Sequence, residues 1–322
     1  MIDIANIVQM YFKKARWTGE PKTLFDPIDY AMQSGGKRLR PTLVLMAANL
    51  FGADAEKLLQ PAAVMEVFHN FTLLHDDVMD RADVRRGRPT VHKKWDDNTA
   101  ILSGDAMLVR AYQMLEMCVD DNMLRPAMRL FSQTALEVCE GQQYDSDFEH
   151  MDNVSLDEYY EMVRLKTGVL LAACLKMGAL LAGADEEDQR NIYDFGINIG
   201  IAFQIWDDYL DCYGDEKTFG KKIGGDILCG KRSFLLVNAL KDGKSSQVQT
   251  IRQLLASTKI ADEQKITTVI GIYNQLGLAD KCHVAMQEYY KRALESLAKV
   301  KKPEADKKVF VQFASNLMGR NL

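Results

Sequence analysis

Two aspartate triplets with the same spacing are the residues in this sequence best suited to chemistry. Each reads Asp-Asp-x-x-Asp; they are Asp76, Asp77 and Asp80, and then Asp207, Asp208 and Asp211. A helix turns about 100° per residue, so the first and last aspartates of a triplet share one helix face. Each triplet follows an apolar, helix-like run, and the C-terminal end of a helix carries partial negative charge. Carboxylates gathered there are expected to need a positive partner.

A hard metal ion is the partner that these carboxylates favour. A lone triplet would be interpreted as a solvated acidic helix end, but the second copy argues against coincidence. No cysteine or histidine cluster accompanies the triplets, and oxygen-only ligands suit Mg²⁺, which takes one or two carboxylates together with substrate phosphates. We expect two carboxylate clusters that face each other across a cavity, with metal-bound phosphate between them.

Two basic segments flank the acidic motifs and supply candidate phosphate ligands. The first is Gly-Gly-Lys-Arg-Leu-Arg-Pro at 35–41, and the second, at 81–94, holds six lysines and arginines against a single acid. Either segment alone could be a solvated loop, yet guanidinium groups beside metal-binding carboxylates are what a diphosphate site needs. His69 lies within about 20° of Asp76 on a helical wheel and is a further candidate ligand.

The composition of the whole chain excludes several classes of function. The 322 residues are 47% apolar and 26% charged, as in ordinary globular proteins. A net charge of −5 argues against a nucleic-acid partner. The most apolar segment, 168–184, is interrupted by Lys176 and predicts a buried core helix rather than a transmembrane segment. The six cysteines are scattered singly, which favours reduced thiols. We expect a soluble cytoplasmic protein.

Helices must position these residues, because helical periodicity dominates the chain. Apolar helices predicted over 58–78 and 186–209 deliver the two triplets, and a helix over 156–181 begins with a capping box at Ser155. No sustained strand alternation, Asn-Gly hairpin signal or linker is present, so residues 1–322 predict a single all-helical domain. The glycine-rich break at 214–230 lies beside the second triplet and is expected to be functional.

Taken in order, these motifs resemble the trans-type isoprenyl diphosphate synthases, the family of farnesyl and geranylgeranyl diphosphate synthases and related polyprenyl synthetases. The matching stretches extend from Gly35 to Lys231. They are the 35–41 segment, both aspartate motifs with Arg85-Arg86-Gly87 after the first, Gly141-Gln142-Gln143-Tyr144-Asp145, Lys166-Thr167-Gly168, Phe203-Gln204, and Gly220-Lys221 through Lys231. The resemblance implies an all-α fold of the isoprenoid synthase type, a large single-domain helical bundle around a deep central cavity.

The resemblance also implies a role for each matching residue. About three Mg²⁺ ions would be held by Asp76, Asp80 and Asp207, with Asp77, Asp208 and Asp211 assisting. Isopentenyl diphosphate would be bound by Lys37, Arg40, His69 and Arg86, and an allylic diphosphate by Arg85, Lys166, Lys221 and Lys231. The carbocation would be stabilised by Lys166, Thr167 and Gln204, and the site would be supported by Gln142 and Asp145.

The activity implied by the resemblance is prenyl chain elongation. Isopentenyl diphosphate would condense with dimethylallyl, geranyl or farnesyl diphosphate to a short all-trans prenyl diphosphate, with release of diphosphate. Metal ions and fixed cations would neutralise the departing diphosphate, and a dry apolar cavity would protect the allylic carbocation from water. The departing diphosphate is the expected proton acceptor. The family also implies a homodimer.

Product length is expected to depend on the helical turn before Asp76. In this family an aromatic residue five positions before the first aspartate, here Phe71, is linked to C15 to C20 products, and we expect C20 ahead of C15. On a helical wheel Thr72 lies about 40° from Asp76 and Phe71 about 140°. Thr72 is therefore the residue expected to face the pocket. The preferred starter and the downstream pathway stay open.

Three other interpretations remain. A terpene cyclase shares the fold and the first motif, but usually replaces the second motif and needs no isopentenyl diphosphate site. A non-catalytic subunit of a heteromeric prenyl synthase tends to lose aspartates or basic ligands, and none is missing here. A metal-binding helical scaffold would leave the two basic segments unexplained.

Overall fold

The computed structural model describes residues 3–214 and 223–319, and these are predominantly helical. The helices up to residue 149 are α1 (Ile4–Lys14), α2 (Lys22–Met32), α3 (Leu39–Leu50), α4 (Leu59–Met79), α5 (Val91–Lys94), α6 (Asp97–Cys118) and α7 (Asp121–Glu149). The later helices are α8 (Leu156–Val163), α9 (Val169–Leu181), α10 (Glu186–Tyr213), α11 (Gly225–Cys229), α12 (Phe234–Asp242), α13 (Ser245–Ala256), α14 (Asp262–Gln275), α15 (Leu278–Ala298) and α16 (Glu304–Leu317). The predicted all-α class is confirmed.

Three short elements complete the secondary structure of these residues. A 3₁₀ turn (Ala55–Leu58) precedes α4, and a π-helical turn (Arg164–Gly168) connects α8 to α9. The strands β1 (Val84–Arg85) and β2 (Arg88–Pro89) pair antiparallel as a hairpin, with Val84 opposite Pro89 and Arg85 opposite Arg88. The chain groups into two compact units, 1–132 with 173–190, and 133–172 with 191–322. That residues 1–322 form a single domain stays a prediction.

Helix α4 is the central element of the first unit. It packs against α3 and α6, and every residue from Pro61 to Phe68 is buried. Gly178 of α9 permits a close approach to α3, because a Cβ atom there would lie 2.0 Å from the carbonyl oxygen of Val44. Dense packing around the first half of α4 fixes the direction of the helix, and with it the turn that carries the first triplet.

Helix α10 holds the second triplet inside the second unit. The core of this unit includes Tyr159 of α8 and Phe234 of α12. Glycines bring α10 against the π turn at backbone distance, since a Cβ atom on Gly200 would lie 2.6 Å from the Cα atom of Gly168. The helix that delivers the aspartates and the turn that follows α8 are therefore fixed relative to each other within this unit.

The helices that carry the aspartates agree with their sequence patterns. Helix α4 spans 59–79 against a predicted 58–78, and α10 begins at Glu186 as predicted and ends at Tyr213. The capping box at Ser155 is also confirmed. The amide nitrogen of Glu158 donates to Ser155 Oγ over 3.2 Å, and the amide nitrogen of Ser155 donates to Glu158 Oε2 over 2.7 Å.

Two local features differ from the predictions. The single helix predicted over 156–181 is interrupted by the π turn, in which the amide nitrogen of Val169 donates to the carbonyl oxygen of Arg164. One extra residue in a turn leaves little trace in the apolar pattern of a helix that is buried on most sides. The hairpin was not predicted because its turn is Arg86-Gly87 rather than Asn-Gly. Both residues have positive φ, 53° and 74°, as a type I′ turn requires.

Candidate active site

The first aspartate triplet lies at the C-terminal end of α4, as predicted. The amide nitrogen of Asp80 donates to the carbonyl oxygen of Asp76 over 2.8 Å, so the two residues lie one turn apart on one helix face. Asp76 is half-buried and Asp80 is exposed, whereas Asp77 is buried. The triplet therefore divides into two more exposed aspartates and one enclosed aspartate.

The enclosed member, Asp77, is held by an arginine of the hairpin. Arg85 Nε donates to Asp77 Oδ1 over 2.8 Å, and the aspartate side chain is only 6% exposed. Burial raises the pKa of Asp77, while the charge and hydrogen bond of Arg85 oppose that rise. The contact places a guanidinium group directly beside the triplet, where a phosphate ligand was predicted.

The 35–41 segment and the hairpin, which are distant in sequence, meet in the first unit. Arg86 Nη1 donates to the carbonyl oxygen of Gly35, and a Cβ atom on Gly36 would lie 2.7 Å from Arg86 Cζ. Gly36 also has a φ of 114°, so only glycine satisfies both the backbone conformation and the contact. Lys37, the next residue, is exposed.

Arg40 and His69 belong to the same cationic group. Burial lowers the pKa of His69 well below its ordinary value, and the charges of Arg40 and Arg86 lower it further. The imidazole is therefore neutral near neutral pH. Burial also lowers the pKa of Arg40, with the charge of Glu66 acting in the opposite direction. The structure thus gathers Arg40, His69 and Arg86, which the family resemblance assigned to one diphosphate.

Sequence reasoning missed Glu66 and its ion pair with Arg38, a member of the basic 35–41 segment; both residues lie beside this group. Arg38 Nη1 and Glu66 Oε1 are 2.8 Å apart, and their side chains are 3% and 2% exposed. Glu66 stands alone in an apolar stretch of α4, and acids are almost never fully buried unless they are paired. That isolated acid is the sequence signal that could have indicated a cationic partner.

In the second unit the π turn presents Lys166 and Thr167. Lys166 Nζ forms an ion pair with the carboxylate of Asp145 on α7. Gly141 allows α7 to approach, because a Cβ atom there would lie 2.3 Å from the amide nitrogen of Lys166. Gln142 Oε1 is buried and has no hydrogen-bond partner among the described residues. Asp145, for which a supporting role was predicted, thus contacts Lys166 directly.

A chain of hydrogen bonds connects Thr167 to the second aspartate triplet. Thr167 Oγ1 donates to Gln204 Oε1 over 3.1 Å, and Gln204 Nε2 donates to Asp208 Oδ1 over 3.0 Å. Asp208 Oδ2 accepts from the hydroxyl of Tyr159 and from the amide nitrogen of Phe234, both over 2.7 Å. Both carboxylate oxygens of Asp208 are thus used to orient the groups around it. Tyr159 was not predicted.

Asp208 is the counterpart of Asp77 in the second triplet. It is 4% exposed, and burial together with the charge of Asp226 raises its pKa to about 7, against the effect of its hydrogen bonds. Asp207, by contrast, is half-buried. In both triplets the middle aspartate is enclosed and the first aspartate is more exposed.

The last aspartate of the second triplet, Asp211, is hydrogen-bonded to the second half of the glycine-rich break. Asp211 Oδ2 accepts from the amide nitrogen of Asp226 over 3.1 Å, and its carbonyl oxygen accepts from the amide nitrogen of Gly224 over 2.7 Å. Lys231 is anchored to the same segment, since its amide nitrogen donates to the carbonyl oxygen of Asp226 over 3.0 Å. Lys221, within 215–222, lies outside the described residues.

The two candidate residues for product length differ in their packing. Phe71 is 7% exposed, and its ring centroid lies 4.8 Å from that of His75 and 5.6 Å from that of Phe68. Thr72 is half-buried, and its hydroxyl donates to the carbonyl oxygen of His69 over 2.8 Å. Phe71 is therefore part of an aromatic row, while Thr72 stays partly exposed on the turn before Asp76.

A comparison with known proteins identifies the family of this chain. The model of the polyprenyl synthetase family matches residues 21–273. The chain belongs to the polyprenyl synthetase family.

Relatives of this polyprenyl synthetase include two curated enzymes from archaea. A geranylgeranyl diphosphate synthase from Methanosarcina mazei is 43% identical over 225 residues, 69% of either chain. A geranylfarnesyl diphosphate synthase from Aeropyrum pernix is 36% identical over 285 residues, 87% of this chain and 88% of the relative. A crystal structure of geranylgeranyl pyrophosphate synthase is similar over 100% of both chains, with a TM-score of 0.94 and 44% identity.

Two further features of this polyprenyl synthetase concern metals and membranes. Within 3–214 and 223–319, no three or more histidine, cysteine, aspartate or glutamate side chains form a group that could hold a metal ion. No helix in those ranges combines the length and apolar character needed to cross a membrane.

Proposed function

We propose that this polyprenyl synthetase is a chain-elongating prenyltransferase that condenses isopentenyl diphosphate with an allylic diphosphate. The supporting observation is the common construction of the two triplets. In each, the middle aspartate is buried and hydrogen-bonded, and the first is half-buried. Carboxylates held in fixed positions are preorganised for a cation-bound diphosphate. The names of the geranylgeranyl and geranylfarnesyl relatives support the same reaction class.

The proposed cofactor is Mg²⁺, held by Asp76, Asp80 and Asp207, with Asp77, Asp208 and Asp211 in support. All six donors are carboxylates, and Mg²⁺ is a hard cation that prefers oxygen ligands and retains substrate phosphates and water among them. The contacts to Asp77 and Asp208 fit a supporting role, because these carboxylates already accept hydrogen bonds from the protein. Bound Mg²⁺ would supply Lewis-acid neutralisation of the diphosphate.

The basic residues divide into two proposed diphosphate sites. Arg40, His69 and Arg86 are close enough to influence one another electrostatically, and guanidinium groups match phosphate oxygens with paired hydrogen bonds. The neutral His69 would add an N–H donor without adding charge. The proposed isopentenyl diphosphate ligands are Lys37, Arg40, His69 and Arg86, and the proposed allylic diphosphate ligands are Arg85, Lys166, Lys221 and Lys231.

The proposed reaction has three steps: ionisation, condensation and proton loss. The allylic C–O bond breaks and both electrons leave with the diphosphate, whose charge is neutralised by the surrounding cations. The double bond of isopentenyl diphosphate then attacks the allylic carbocation. Loss of a proton from the neighbouring carbon forms the new double bond, with the released diphosphate as proposed acceptor. Thr167 and Gln204, which are hydrogen-bonded to each other, would offer oxygen dipoles to the cation beside Lys166.

The proposed product is a short prenyl diphosphate, with C20 favoured over C15. The buried aromatic ring of Phe71 supports this range, because it fills space on the turn before Asp76. A geranylgeranyl product has this C20 length, while the name of the Aeropyrum pernix relative states the longer geranylfarnesyl product.

One assay tests the proposed function against its alternatives. The protein is incubated with isopentenyl diphosphate, Mg²⁺ and dimethylallyl, geranyl or farnesyl diphosphate, and the products are identified by chain length. A linear prenyl diphosphate longer than the starter is expected. A cyclic hydrocarbon from the allylic substrate alone would favour a terpene cyclase. No turnover with any starter would favour a non-catalytic subunit.

We further propose that residues 1–322 act as one catalytic domain and that two copies form a cytoplasmic homodimer. Family membership supports both statements. Sedimentation equilibrium should then give twice the mass of one chain. A mass equal to that of one chain would contradict the dimer while leaving the reaction to the product assay.

A further inference from the structure

A buried glutamate lies within the cationic group of the first unit. Glu66 is 1% exposed and lies three residues before His69 on α4. Its Oε1 atom accepts from Arg38 Nη1 over 2.8 Å. Neither Glu66 nor Arg38 has a role in the reaction proposed above.

Arg38 is held in a restricted conformation by its surroundings. Its φ of 48° and ψ of 45° lie in the left-handed region, at the N-cap of α3. That region is disfavoured for residues with a Cβ atom, so contacts elsewhere must maintain it. The guanidinium group also donates to the carbonyl oxygen of Met32 and lies 4.7 Å from the ring centroid of Phe12. Because Lys37 precedes Arg38 and Arg40 lies in the first turn of the helix that Arg38 caps, the conformation of Arg38 sets the position of both.

The two carboxylate oxygens of Glu66 differ in their hydrogen bonds. Oε1 accepts from Arg38 and, over 3.3 Å, from Asn70 Nδ2, whereas Oε2 is buried and has no hydrogen-bond partner among the described residues. Arg40 Nε is likewise buried without a partner in that part of the chain. For Arg40 and for Arg86, Glu66 is the strongest charge that favours the ionised guanidinium group. One buried carboxylate thus accepts a hydrogen bond from Arg38 and favours the charged forms of Arg40 and Arg86.

We infer that Glu66 is a positioning residue for the isopentenyl diphosphate site, whose buried charge holds Arg38, Arg40 and Arg86 in the arrangement that receives this diphosphate. The inference rests on the proposed function and adds a residue to that site. Like charges repel, and a guanidinium group buried without an anion is strongly disfavoured, so the cluster would open without Glu66. A single carboxylate among three guanidinium groups still leaves a positive excess that attracts a diphosphate.

The first test is Glu66→Gln, which keeps the size of the side chain and removes its charge. The KM for isopentenyl diphosphate should rise at least about tenfold, while the KM for the allylic diphosphate changes by less than about twofold. Calorimetric titration with isopentenyl diphosphate, in the presence of EDTA and without Mg²⁺, should show a matching rise in Kd. Glu304→Gln is the matched control, because Glu304 pairs over 2.6 Å with the buried Lys307 of α16. It should leave both KM values unchanged.

A double variant, Arg38→Met with Glu66→Met, separates positioning from a purely structural role. Replacing both partners of a buried ion pair with apolar residues often leaves stability intact. If Glu66 also acts on Arg40 and Arg86, this variant should have a higher Tm than Glu66→Gln, because Arg38 is no longer buried without an anion, and should still have the raised KM for isopentenyl diphosphate. A KM restored to the wild-type value would overturn the inference, as would an unchanged or lowered KM and Kd in Glu66→Gln. Wild-type protein that binds isopentenyl diphosphate without elongation would contradict the proposed function instead, and the calorimetric comparison would still decide the role of Glu66.

Discussion

Arg85 Nε donates a 2.8 Å hydrogen bond to Asp77 Oδ1, so the middle aspartate of the first triplet is paired with the hairpin that follows α4. The contact gives Asp77 a different role from that of Asp76 and Asp80. Asp77 fixes the position of the hairpin, and Asp76 and Asp80, one turn apart, remain on the more exposed face for a cation.

Asp76→Ala tests the metal-binding task directly. Removal of this carboxylate should lower kcat by a factor of about 10² to 10³, the size of effect seen when one group that stabilises a departing anion is lost. The dependence of the rate on Mg²⁺ concentration should move to higher concentration. Steady-state kinetics with varied Mg²⁺ measures both. Asp83→Ala is the control, since Asp83 is exposed and pairs with Lys93; turnover close to that of the wild type in Asp76→Ala itself would refute the assignment.

Gly141→Ala tests the backbone contact beneath Lys166. The new Cβ atom would lie 2.3 Å from the amide nitrogen of Lys166, so the π turn must shift and displace Lys166 and Thr167. A shift of about 1 Å in such groups costs roughly 10²-fold in rate, and the overpacking should cost about 1–3 kcal/mol of unfolding free energy.

Gly271→Ala is the matched control for this substitution. Gly271 lies inside α14, and the position that the new methyl group would take has no neighbouring atom within 4 Å. Alanine there should raise the free energy of unfolding by about 0.5–1 kcal/mol, because it removes backbone freedom from the unfolded chain. Its kcat should equal that of the wild type. Equal rates for both alanine variants would show that the close contact at Gly141 does not control the site.

Phe71→Ala is expected to lengthen the product. Loss of the ring opens space in the aromatic row, so at least part of the product should extend by one or more C5 units. The cavity should also cost about 3–5 kcal/mol of unfolding free energy. Phe310→Ala, at a fully buried ring of α16, controls for this loss of stability and should leave product lengths unchanged. The same length distribution in both variants would remove Phe71 from the set of length-determining residues.

Thr72→Phe is expected to have the opposite effect. Thr72 is partly exposed on the turn before Asp76, and a phenyl ring there would occupy space needed by the growing chain. Product analysis should show a shift from C20 towards C15. Thr72→Val is the conservative comparison, because it keeps the shape of the side chain and removes only the hydrogen bond to His69. An unchanged profile in Thr72→Phe would exclude Thr72 from the pocket.

His69 should make the stability of the protein depend on pH. Burial and nearby arginines lower its pKa well below the ordinary value, so the folded protein binds fewer protons here than the unfolded chain does. Stability is therefore fully present above the unfolded pKa of about 6.5 and is lost as the pH falls from there towards the folded pKa. Urea unfolding at about pH 7.5 and about pH 5.5 should show a smaller loss in His69→Gln than in the wild type. Equal losses would contradict the lowered pKa.

Local patterns in the sequence were sufficient to predict the helices and the position of the acidic motifs. The apolar run before Asp76 has apolar side chains on nearly every helix face. Because these side chains must be removed from water, the run predicts a long buried helix. The capping box at Ser155 is equally local, since its two hydrogen bonds join residues three positions apart. Both were confirmed.

The contacts that orient the site could not be predicted in the same way. Tyr159 and Asp208 are 49 positions apart, and no pattern near either residue identifies the other. The charge of Glu66 was visible, but its pairing with Arg38 depends on how α3 packs against α4. Such pairs follow from tertiary packing, which a periodicity argument on one segment does not contain.

The π turn at Arg164–Gly168 also limits how this chain can change over generations. A π turn contains one residue more than an α-helical turn, and the extra residue is absorbed within the turn. Deletion of any one of these five residues would therefore restore a regular helix in which the residues that follow keep their facing, while Lys166 and Thr167 would lose the positions that the wider turn gives them. Lineages of this enzyme that lose one codon of the turn should therefore keep the fold and lose activity.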